Sequence, residues 1–359
     1  MKKIEDKITI SKSVSMRITA LRYLLAMFVV FIHNNLTADV AISYYHLDFN
    51  EPRIITWFKM FVCEVLGNGA VPLFFMFAGY LQFAKTNSYI NVIKKKFKSL
   101  FIPYVSWTMI CVLVYLIAQS IPNLSSFFQN ENNIVCNWNV KDWINIFWTH
   151  DIDKQPLVSQ FWFIRNLMVI VVFFPLLSFL LKRSPFFCIF IAFLCFVNGL
   201  PLSFGITLFF YMIGYFFAEY NVDFFSFADR ISWLVFLALF ILEMLVLIMS
   251  NEQFVCFDVF KIVSCLFFCK VSAKIIENEK LFSITNFLNG FSFFLYAIHA
   301  PLLINFLNKV SYRIIPLTGV WCLVQFIIPS LLCIIIGTGI GIILNKVCKP
   351  IFRVLNGGR

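Results

Sequence analysis

Two residues that can do acid–base and anion chemistry lie in the first apolar segment of the chain. Arg22 and His33 belong to the otherwise hydrophobic stretch 16–35, whose length suits a membrane-spanning helix. They are eleven residues apart, so an α-helix places both on one face, roughly 16 Å apart along its axis. A titratable side chain in lipid is costly and usually marks a functional site. The alternative is that each side chain reaches the nearer headgroup layer.

A second histidine ends a polar stripe in a later apolar segment. Asn289, Ser292, Tyr296 and His299 recur at intervals of three and four, which predicts one polar face on a single helix. If this segment and the first both run from inside to outside, the two histidines lie at similar depth in the outer half. Two imidazoles in one cavity could act as acid and base, or one could orient the other. Alternatively, each bonds a carbonyl of a neighbouring helix.

Further cations lie at the ends of apolar segments. Arg165 begins one of them, beside Trp162, where it could bind an anion or a developing oxyanion, or serve as an interfacial anchor. The run 94–98 contains four lysines, including Lys95 and Lys98. These could bind the phosphates of a nucleotide-type ligand, although anionic lipid or membrane topology explains them equally simply.

Two long connections, about residues 37–65 and 120–160, lie on the predicted outer side. The second connection contains several aromatic residues and carboxylates. Aromatic rings stack on sugars and carboxylates accept hydrogen bonds from hydroxyl groups, so this connection suits a carbohydrate ligand. The alternative is an interfacial aromatic belt. The residues concerned are Trp138, Trp143, Trp148, His150, Asp151 and Asp153.

The composition of the chain indicates a membrane protein. Hydrophobic residues make up 61% of its 359 residues and charged residues only 13%, whereas a soluble domain has about 25% charged residues. The apolar runs are long and continuous, which predicts an all-α polytopic bundle rather than a β-barrel of alternating strands. The net charge of +11 comes mainly from basic residues at segment ends, which indicates topology and anionic lipid rather than nucleic acid.

We predict about ten transmembrane helices in a single domain, residues 1–359, with a cytoplasmic leader at 1–16 and a cytoplasmic tail at 346–359. Of the 29 Lys and Arg residues, 20 fall on the predicted inner side, 7 on the outer side and 2 within spans. This asymmetry predicts a multi-pass protein of the cell membrane with both termini inside. The leader has no small-residue cleavage site, so we expect it to stay attached. The predicted spans are about 17–36, 66–84, 99–119, 161–181, 185–200, 203–219, 230–250, 254–272, 286–308 and 317–345.

Other catalytic signatures are absent from the sequence. It has no GxGxxG or Walker loop, no HExxH and no GxSxG. The 11 cysteines show no CxxC pairing and no histidine at metal-ligand spacing. We therefore predict neither a metal site nor a disulfide framework.

The chain resembles the acyltransferase-3 family of integral membrane acyltransferases. The resemblance covers nearly the whole chain, in the same order. It rests on five motifs: Leu21–Ala26 followed by His33, Val71–Tyr80, Lys95 and Lys98 with Pro103, Phe161–Arg165, and Tyr296–His299.

The chain departs from the family pattern at a few positions. Ala78 stands where serine is common, and Lys95 and Lys98 stand where arginine is common. Lysine cannot form the bidentate fork of arginine, so these replacements affect the expected phosphate contact.

The resemblance implies transfer of an acyl group from cytoplasmic acyl-CoA to a hydroxyl of an extracytoplasmic glycan or lipid-linked sugar. Acetyl-CoA is the expected donor. The implied roles are the CoA contact for Arg22, Lys95 and Lys98, base or transient acyl carrier for His33, and completion of the outer site for His299 and Arg165.

Two other classes of function remain open at this stage. A transporter or flippase for a glycan intermediate would also have buried polar groups, although no internal symmetry is visible. A non-catalytic sensor or scaffold would tolerate substitution of Arg22, His33 and His299. The expected partners are membrane lipids and a carbohydrate acceptor, together with glycan-synthesis proteins or a second copy of the chain.

Overall fold

The computed structural model describes residues 11–37, 41–42, 47–83, 89–122, 131–150, 154–249 and 257–358. Across these ranges the chain is helical and contains no β-strand, with one isolated parallel bridge between Asn50 and Thr318. The all-α prediction is therefore confirmed.

The α-helices are numbered here in chain order, and short 3₁₀ and π-helical turns connect several of them. They are α1 (Lys12–His33), α2 (Arg53–Met60), α3 (Ala70–Phe83), α4 (Tyr89–Lys96), α5 (Ile102–Ser120), α6 (Val140–Asn145), α7 (Trp162–Arg183), α8 (Pro185–Val197), α9 (Phe204–Glu219), α10 (Phe224–Arg230), α11 (Trp233–Met249), α12 (Phe257–Glu277), α13 (Glu279–Asn289), α14 (Ser292–Ile298), α15 (Ile304–Ser311), α16 (Trp321–Val347) and α17 (Lys349–Leu355).

Several of these helical segments can cross a membrane. In the described part of the chain, seven are long and apolar enough, and α10 with α11 makes an eighth if this pair, bent by 89°, is one span. The chain is thus a multi-pass membrane protein. The seven are Lys12–His33, Arg53–Gln82, Tyr89–Ser120, Ser159–Arg183, Pro201–Glu219, Ser292–Ser311 and Trp321–Val347.

The predicted count of about ten spans is not confirmed. Helix α8 is shorter than a full span, and α12, which forms in place of the predicted span 254–272, is not among the segments that could cross a membrane by length and composition. The inner location of both termini and the single-domain organisation stay predictions.

The chain forms two compact units. Unit 1 contains residues 1–28, 64–94 and 169–290, and unit 2 contains residues 29–63, 95–168 and 291–359. All site residues predicted from the sequence belong to unit 2, except Arg22.

Unit 1 is held together by a close crossing of α3 and α9. A side chain at Gly79 would collide with the backbone carbonyl of Tyr211, and one at Gly214 with that of Met76. Small residues let membrane helices approach in this way, and the short distance increases van der Waals contact. Unit 1 is also held by an ion pair, in which Arg17 of α1 donates a hydrogen bond to each carboxylate oxygen of Asp229, at 3.0 and 2.6 Å.

Unit 2 is built around α14 and α16. Gly337 and Gly341 of α16 face side chains of α14, among them Leu295 and Phe294. Trp107 of α5 packs edge-on against Phe294, with ring centroids 5.3 Å apart. This packing fixes the backbone that precedes His299.

The predicted span 286–308 corresponds to the membrane-crossing segment Ser292–Ser311, but the structure divides the predicted range into separate helices. Helix α13 ends at Asn289, α14 begins at Ser292, and Ala300 has extended backbone angles (φ −131°, ψ 156°). A residue that precedes proline is sterically driven to such angles, so Pro301 explains the second break. Asn289 therefore does not share a helix with Tyr296 and His299, and the predicted polar stripe is shorter than expected.

Candidate active site

The two membrane histidines meet inside unit 2. The ring centroids of His33 and His299 are 5.0 Å apart, and the ring planes are inclined by 58°. His299 is fully buried and His33 is half-buried. The prediction that the imidazoles share one location is confirmed, whereas their chemical roles remain predictions.

The hydrogen bonds of His299 define which of its nitrogens is basic. Its Nδ1 lies 2.7 Å from the backbone oxygen of Tyr296, and a carbonyl can only accept, so Nδ1 carries the proton. In the neutral ring, Nε2 then holds the lone pair. This buried atom has no hydrogen-bond partner among the described residues. An unoccupied basic nitrogen beside a second imidazole is suited to accept a proton from a substrate.

The segment around His299 is held by hydrogen bonds to its backbone carbonyls, and Pro301 leaves one of these carbonyls free to accept. Proline has no N–H, so the carbonyl of Ala297, four residues earlier, has no intrahelical donor. The Nε2 amide of Gln160 donates to Ala297 O at 3.2 Å and to Ala300 O. Tyr296 in turn donates its hydroxyl to Gln160 O at 2.5 Å. Gln160 thus fixes the backbone on both sides of His299.

The backbone next to His33 is also fixed by a side-chain amide that donates to a carbonyl left free by a proline. Pro329 lies inside α16 and deprives the carbonyl of Gln325 of its helical donor. Nδ2 of Asn34 donates to the backbone oxygens of Gln325 and Phe326 and to Ser330 Oγ, at 3.3, 2.7 and 2.8 Å. Asn34 is buried, so these bonds hold the end of α1 against α16.

Arg165 is buried and contacts the preceding connection. It donates from one terminal nitrogen to the backbone oxygens of Trp148 and Lys154, at 2.5 and 3.1 Å, and its Nε donates to Asn166 Oδ1 at 3.1 Å. Its guanidinium also lies 5.4 Å from the centre of the Trp148 ring. Arg165 therefore anchors this connection, and its assignment as a catalytic residue stays a prediction.

The three predicted CoA-binding residues differ in their surroundings. Arg22 is half-buried on α1, in unit 1, whereas Lys95 and Lys98 are exposed at the end of α4 and in the turn that follows. Exposed ammonium groups are available to an anionic ligand, and the CoA contact stays a prediction for all three residues.

The connection before α7 forms an aromatic cluster. The rings of Trp143 and His150 both pack against the Trp138 ring, and each centroid lies 5.3 Å from the Trp138 centroid. His150 Nε2 donates to Asn133 Oδ1 at 2.9 Å. Asp151 and Asp153, which the sequence assigned to the same sugar-binding group, lie outside the described residues.

We expect His150 to make unfolding depend on pH. Burial lowers the pKa of His150, partly offset by the charge of Asp142, while the unfolded side chain titrates near pH ~6.5. Between the folded and the unfolded pKa, His150 is protonated more in the unfolded chain than in the folded one. Its contribution to stability is therefore complete above the unfolded pKa and falls as the pH drops toward the folded pKa. Melting of purified wild type and His150→Gln between pH 7 and pH 5 measures this. A wild-type midpoint that falls no more than that of the variant would contradict the assignment.

Removing the amide of Gln160 should impair turnover more than substrate binding. Gln160→Met keeps the side-chain length but leaves the carbonyls of Ala297 and Ala300 without donors, a cost of about 1–3 kcal/mol for buried groups. We expect kcat to fall roughly tenfold with little change in KM, because His299 loses its fixed position. Steady-state kinetics checks this, and an unchanged kcat in a folded variant would remove Gln160 from the positioning network.

The fold and the site define a class: a multi-pass helical membrane protein with two adjacent histidines, of which His299 is buried. Residues 17–345 match the family model described as acyltransferase domain. The chain therefore belongs to this family of acyltransferases, and the resemblance inferred from the sequence is confirmed. The matched region includes every site residue predicted from the sequence.

One curated relative is similar over part of its length. The succinoglycan biosynthesis protein ExoH of Rhizobium meliloti (strain 1021) is 26% identical over 180 residues, which cover 48% of this chain and 45% of ExoH. The match thus spans about half of that relative. No solved structure matches the chain significantly.

Sequence reasoning missed two residues of the site, Asn34 and Gln160. Both carry amides within apolar surroundings, and each donates to a carbonyl that lies four residues before a proline. A search for carbonyls deprived of donors by Pro301 and Pro329 would have indicated the need for such amides, although not which ones supply them.

Proposed function

We propose that the chain is a membrane O-acyltransferase that transfers an acyl group, with acetyl-CoA as the expected donor, to a hydroxyl of a cell-surface polysaccharide or lipid-linked sugar. The observation that carries this proposal is the buried Nε2 of His299, which has no hydrogen-bond partner among the described residues and lies beside His33, within a domain of the acyltransferase family.

The reaction needs a base near the acceptor hydroxyl. His299 Nε2 accepts the hydroxyl proton as the oxygen attacks the thioester carbonyl of the donor. The carbon–sulfur bond then breaks, an ester forms, and the departing thiolate of CoA takes up the proton. His33 either stabilises the charged imidazole or attacks first and carries the acyl group to the acceptor.

The donor side follows from charge. Lys95 and Lys98 are exposed cations in unit 2, and the phosphates of CoA are anionic, so these residues suit the nucleotide end of the donor. Arg22 is proposed for the same ligand. The acceptor is proposed from ExoH, which is named for succinoglycan biosynthesis and lends support to a polysaccharide.

A transfer assay with purified protein tests the proposal. The full chain is reconstituted in lipid vesicles and given radiolabelled acetyl-CoA with a neutral polysaccharide, and both free CoA and labelled polysaccharide are measured. We expect equal amounts of the two products from wild type and neither above background from His299→Gln. Equal product from both proteins would overturn the assignment of His299. Movement of polysaccharide across the vesicle without acetyl-CoA would favour a transporter instead.

A further inference from the structure

The last two helices of unit 2 carry an exposed apolar and basic surface that the proposed chemistry does not use. Helix α16 ends at Val347, and α17 (Lys349–Leu355) follows after a one-residue break at Cys348. We propose that this surface binds anionic phospholipid and thereby fixes the segment that carries His299. The effect on acyl transfer rests on the proposed function, whereas the lipid binding does not. We name it the tail surface, and its members are Lys346, Val347, Lys349, Ile351, Arg353 and Val354, all of them exposed.

The apolar part of the tail surface continues the side of α16 that faces outward. Ile343 and Val347 are exposed one turn apart on α16, a helix long and apolar enough to cross a membrane. After the break, Ile351 and Val354 on α17 are still 52% and 45% exposed. Large apolar side chains that remain outside the core at the end of a membrane helix are suited to the boundary between headgroups and acyl chains.

The opposite side of α17 packs into unit 2. Phe352 and Leu355 are buried. The Phe352 ring lies 5.6 Å from the ring of Phe291 and 5.7 Å from that of Phe294, between ring centroids. Helix α17 therefore has one side in the protein core and an apolar side outside it, which is the arrangement of a helix that lies in the membrane interface.

The charges of the tail surface are all positive. Lys346, Lys349 and Arg353 are exposed, and none of them forms an ion pair with a residue that the structure describes. The sequence contains no Asp or Glu after Glu279. The partner of these cations must therefore supply negative charge next to an apolar layer, and an anionic phospholipid has both parts.

Other occupants fit the tail surface less well. A soluble phosphate compound would pair with the cations but leave the apolar side chains in water. A second copy of the chain, related by two-fold symmetry, would bring the same three cations against each other, and like charges repel. The tail is also the predicted cytoplasmic end of the chain, and the cytoplasmic leaflet carries anionic lipid.

The tail surface is connected to the histidine site through the core of unit 2. Trp107 of α5 donates from its Nε1 to the backbone oxygen of Leu355 at 3.0 Å, and its ring packs against Phe294. Phe294 lies on α14, five residues before His299. Helices α17, α5 and α14 thus form one packed group, and lipid that holds α17 also restricts the backbone that carries His299.

Lipid binding by the purified full chain tests the inference without turnover. Phosphatidylglycerol and phosphatidylcholine with identical acyl chains are offered in equal amounts to the protein in detergent, and the retained lipid is counted by native mass spectrometry. We expect preferential retention of phosphatidylglycerol, because each Lys or Arg at an anionic surface strengthens binding roughly fivefold. Equal retention of the two lipids would overturn the inference.

Two triple variants with the same loss of charge separate the tail surface from general attraction. The tail variant should lose at least about tenfold of the lipid preference. The control variant loses three exposed cations of unit 1 and should lose less than about twofold, and both should unfold at the wild-type midpoint in detergent. Equal losses of preference in the two variants would overturn the assignment to α17. The substitutions are Lys346→Gln, Lys349→Gln and Arg353→Gln in the tail variant, and Arg183→Gln, Arg230→Gln and Lys280→Gln in the control.

The transfer assay measures whether the bound lipid acts on the histidine site. We expect kcat of wild type to be about fivefold higher in vesicles that contain phosphatidylglycerol than in pure phosphatidylcholine, the lower end of usual couplings between sites. The tail variant should lack this rise. A wild-type kcat that is equal in both vesicles would overturn the coupling to His299.

The KM for acetyl-CoA distinguishes lipid from donor as the partner of the tail cations. Wild type and the tail variant, compared in the same vesicles, should have equal KM values, because the inference gives these cations to lipid. A KM raised tenfold in the tail variant would assign them to the donor and overturn the inference.

Failure of the lipid surface and failure of the proposed function give different results. Acyl transfer by wild type without any preference for phosphatidylglycerol would overturn the tail surface and leave the proposed function intact. A lipid preference that only the tail variant loses, in a protein without acyl transfer, would support the tail surface and contradict the proposed function.

Discussion

Replacing His299 by glutamine should reduce acyl transfer by about 10²–10⁴-fold, the usual contribution of a positioned general base. Glutamine can still donate to the carbonyl of Tyr296, which His299 Nδ1 now contacts at 2.7 Å. It cannot supply the basic lone pair that Nε2 carries. The fold should therefore survive while the proton acceptor is lost.

Initial rates of acetyl transfer at saturating donor measure this effect. The matched control is Gly339→Ala, because a methyl group at that position meets nothing within 4 Å, so its rate should equal that of wild type. The unfolding midpoint of His299→Gln should lie close to that of wild type. A variant that retains more than a tenth of the wild-type rate would remove His299 from the chemical step.

Replacing Gly214 by alanine should cause the largest loss of stability among conservative changes in unit 1. The added methyl group would collide with the backbone carbonyl of Met76. A backbone atom cannot rotate away as a side chain can, so α3 and α9 must separate along their contact. Overpacking of this kind costs about 1–3 kcal/mol, and the rigid partner places this case at the upper end.

Thermal unfolding in detergent, together with the yield of folded protein, measures the loss. Gly339→Ala again serves as the control, since it adds the same methyl group to a helix in open space and should be neutral or slightly stabilising. Equal midpoints for the two variants would show that the crossing of α3 and α9 is not as close as the structure has it.

The meeting of the two histidines was predictable because it depends on few quantities. The charge asymmetry and the positions of the apolar runs set the depth of His33 and His299. Two imidazoles at one depth in a bundle have a limited number of places to lie, and the structure brings them to 5.0 Å. The family was predictable for a similar reason, since its motifs are local in sequence.

The environment of the pair was not predictable from the same patterns. Helical periodicity made Asn289, Tyr296 and His299 one stripe, but α13 ends at Asn289 and the next helix, α14, begins only at Ser292. The sequence alone shows that Pro301 and Pro329 each leave a backbone carbonyl without a helical donor. Their donors Gln160 and Asn34, however, come from distant segments. Such pairing depends on tertiary contacts, which a single sequence does not specify.

The role of Arg165 was also not predictable from the sequence alone. Its position at the start of an apolar segment fits both an anion site and an anchor. The contacts with Trp148 and Lys154 favour the anchor, and they depend on how a long connection folds. Residue type and position alone did not distinguish these roles.

The rates of four proteins test the central claim, that His33 and His299 act together in acyl transfer. The four are wild type, His33→Gln, His299→Gln and the double variant, each assayed for acetyl transfer from acetyl-CoA in the same vesicles. Residues that act as one unit give non-additive losses. We therefore expect the double variant to be about as slow as the slower single variant. Losses that multiply, or single variants as fast as wild type, would contradict the claim.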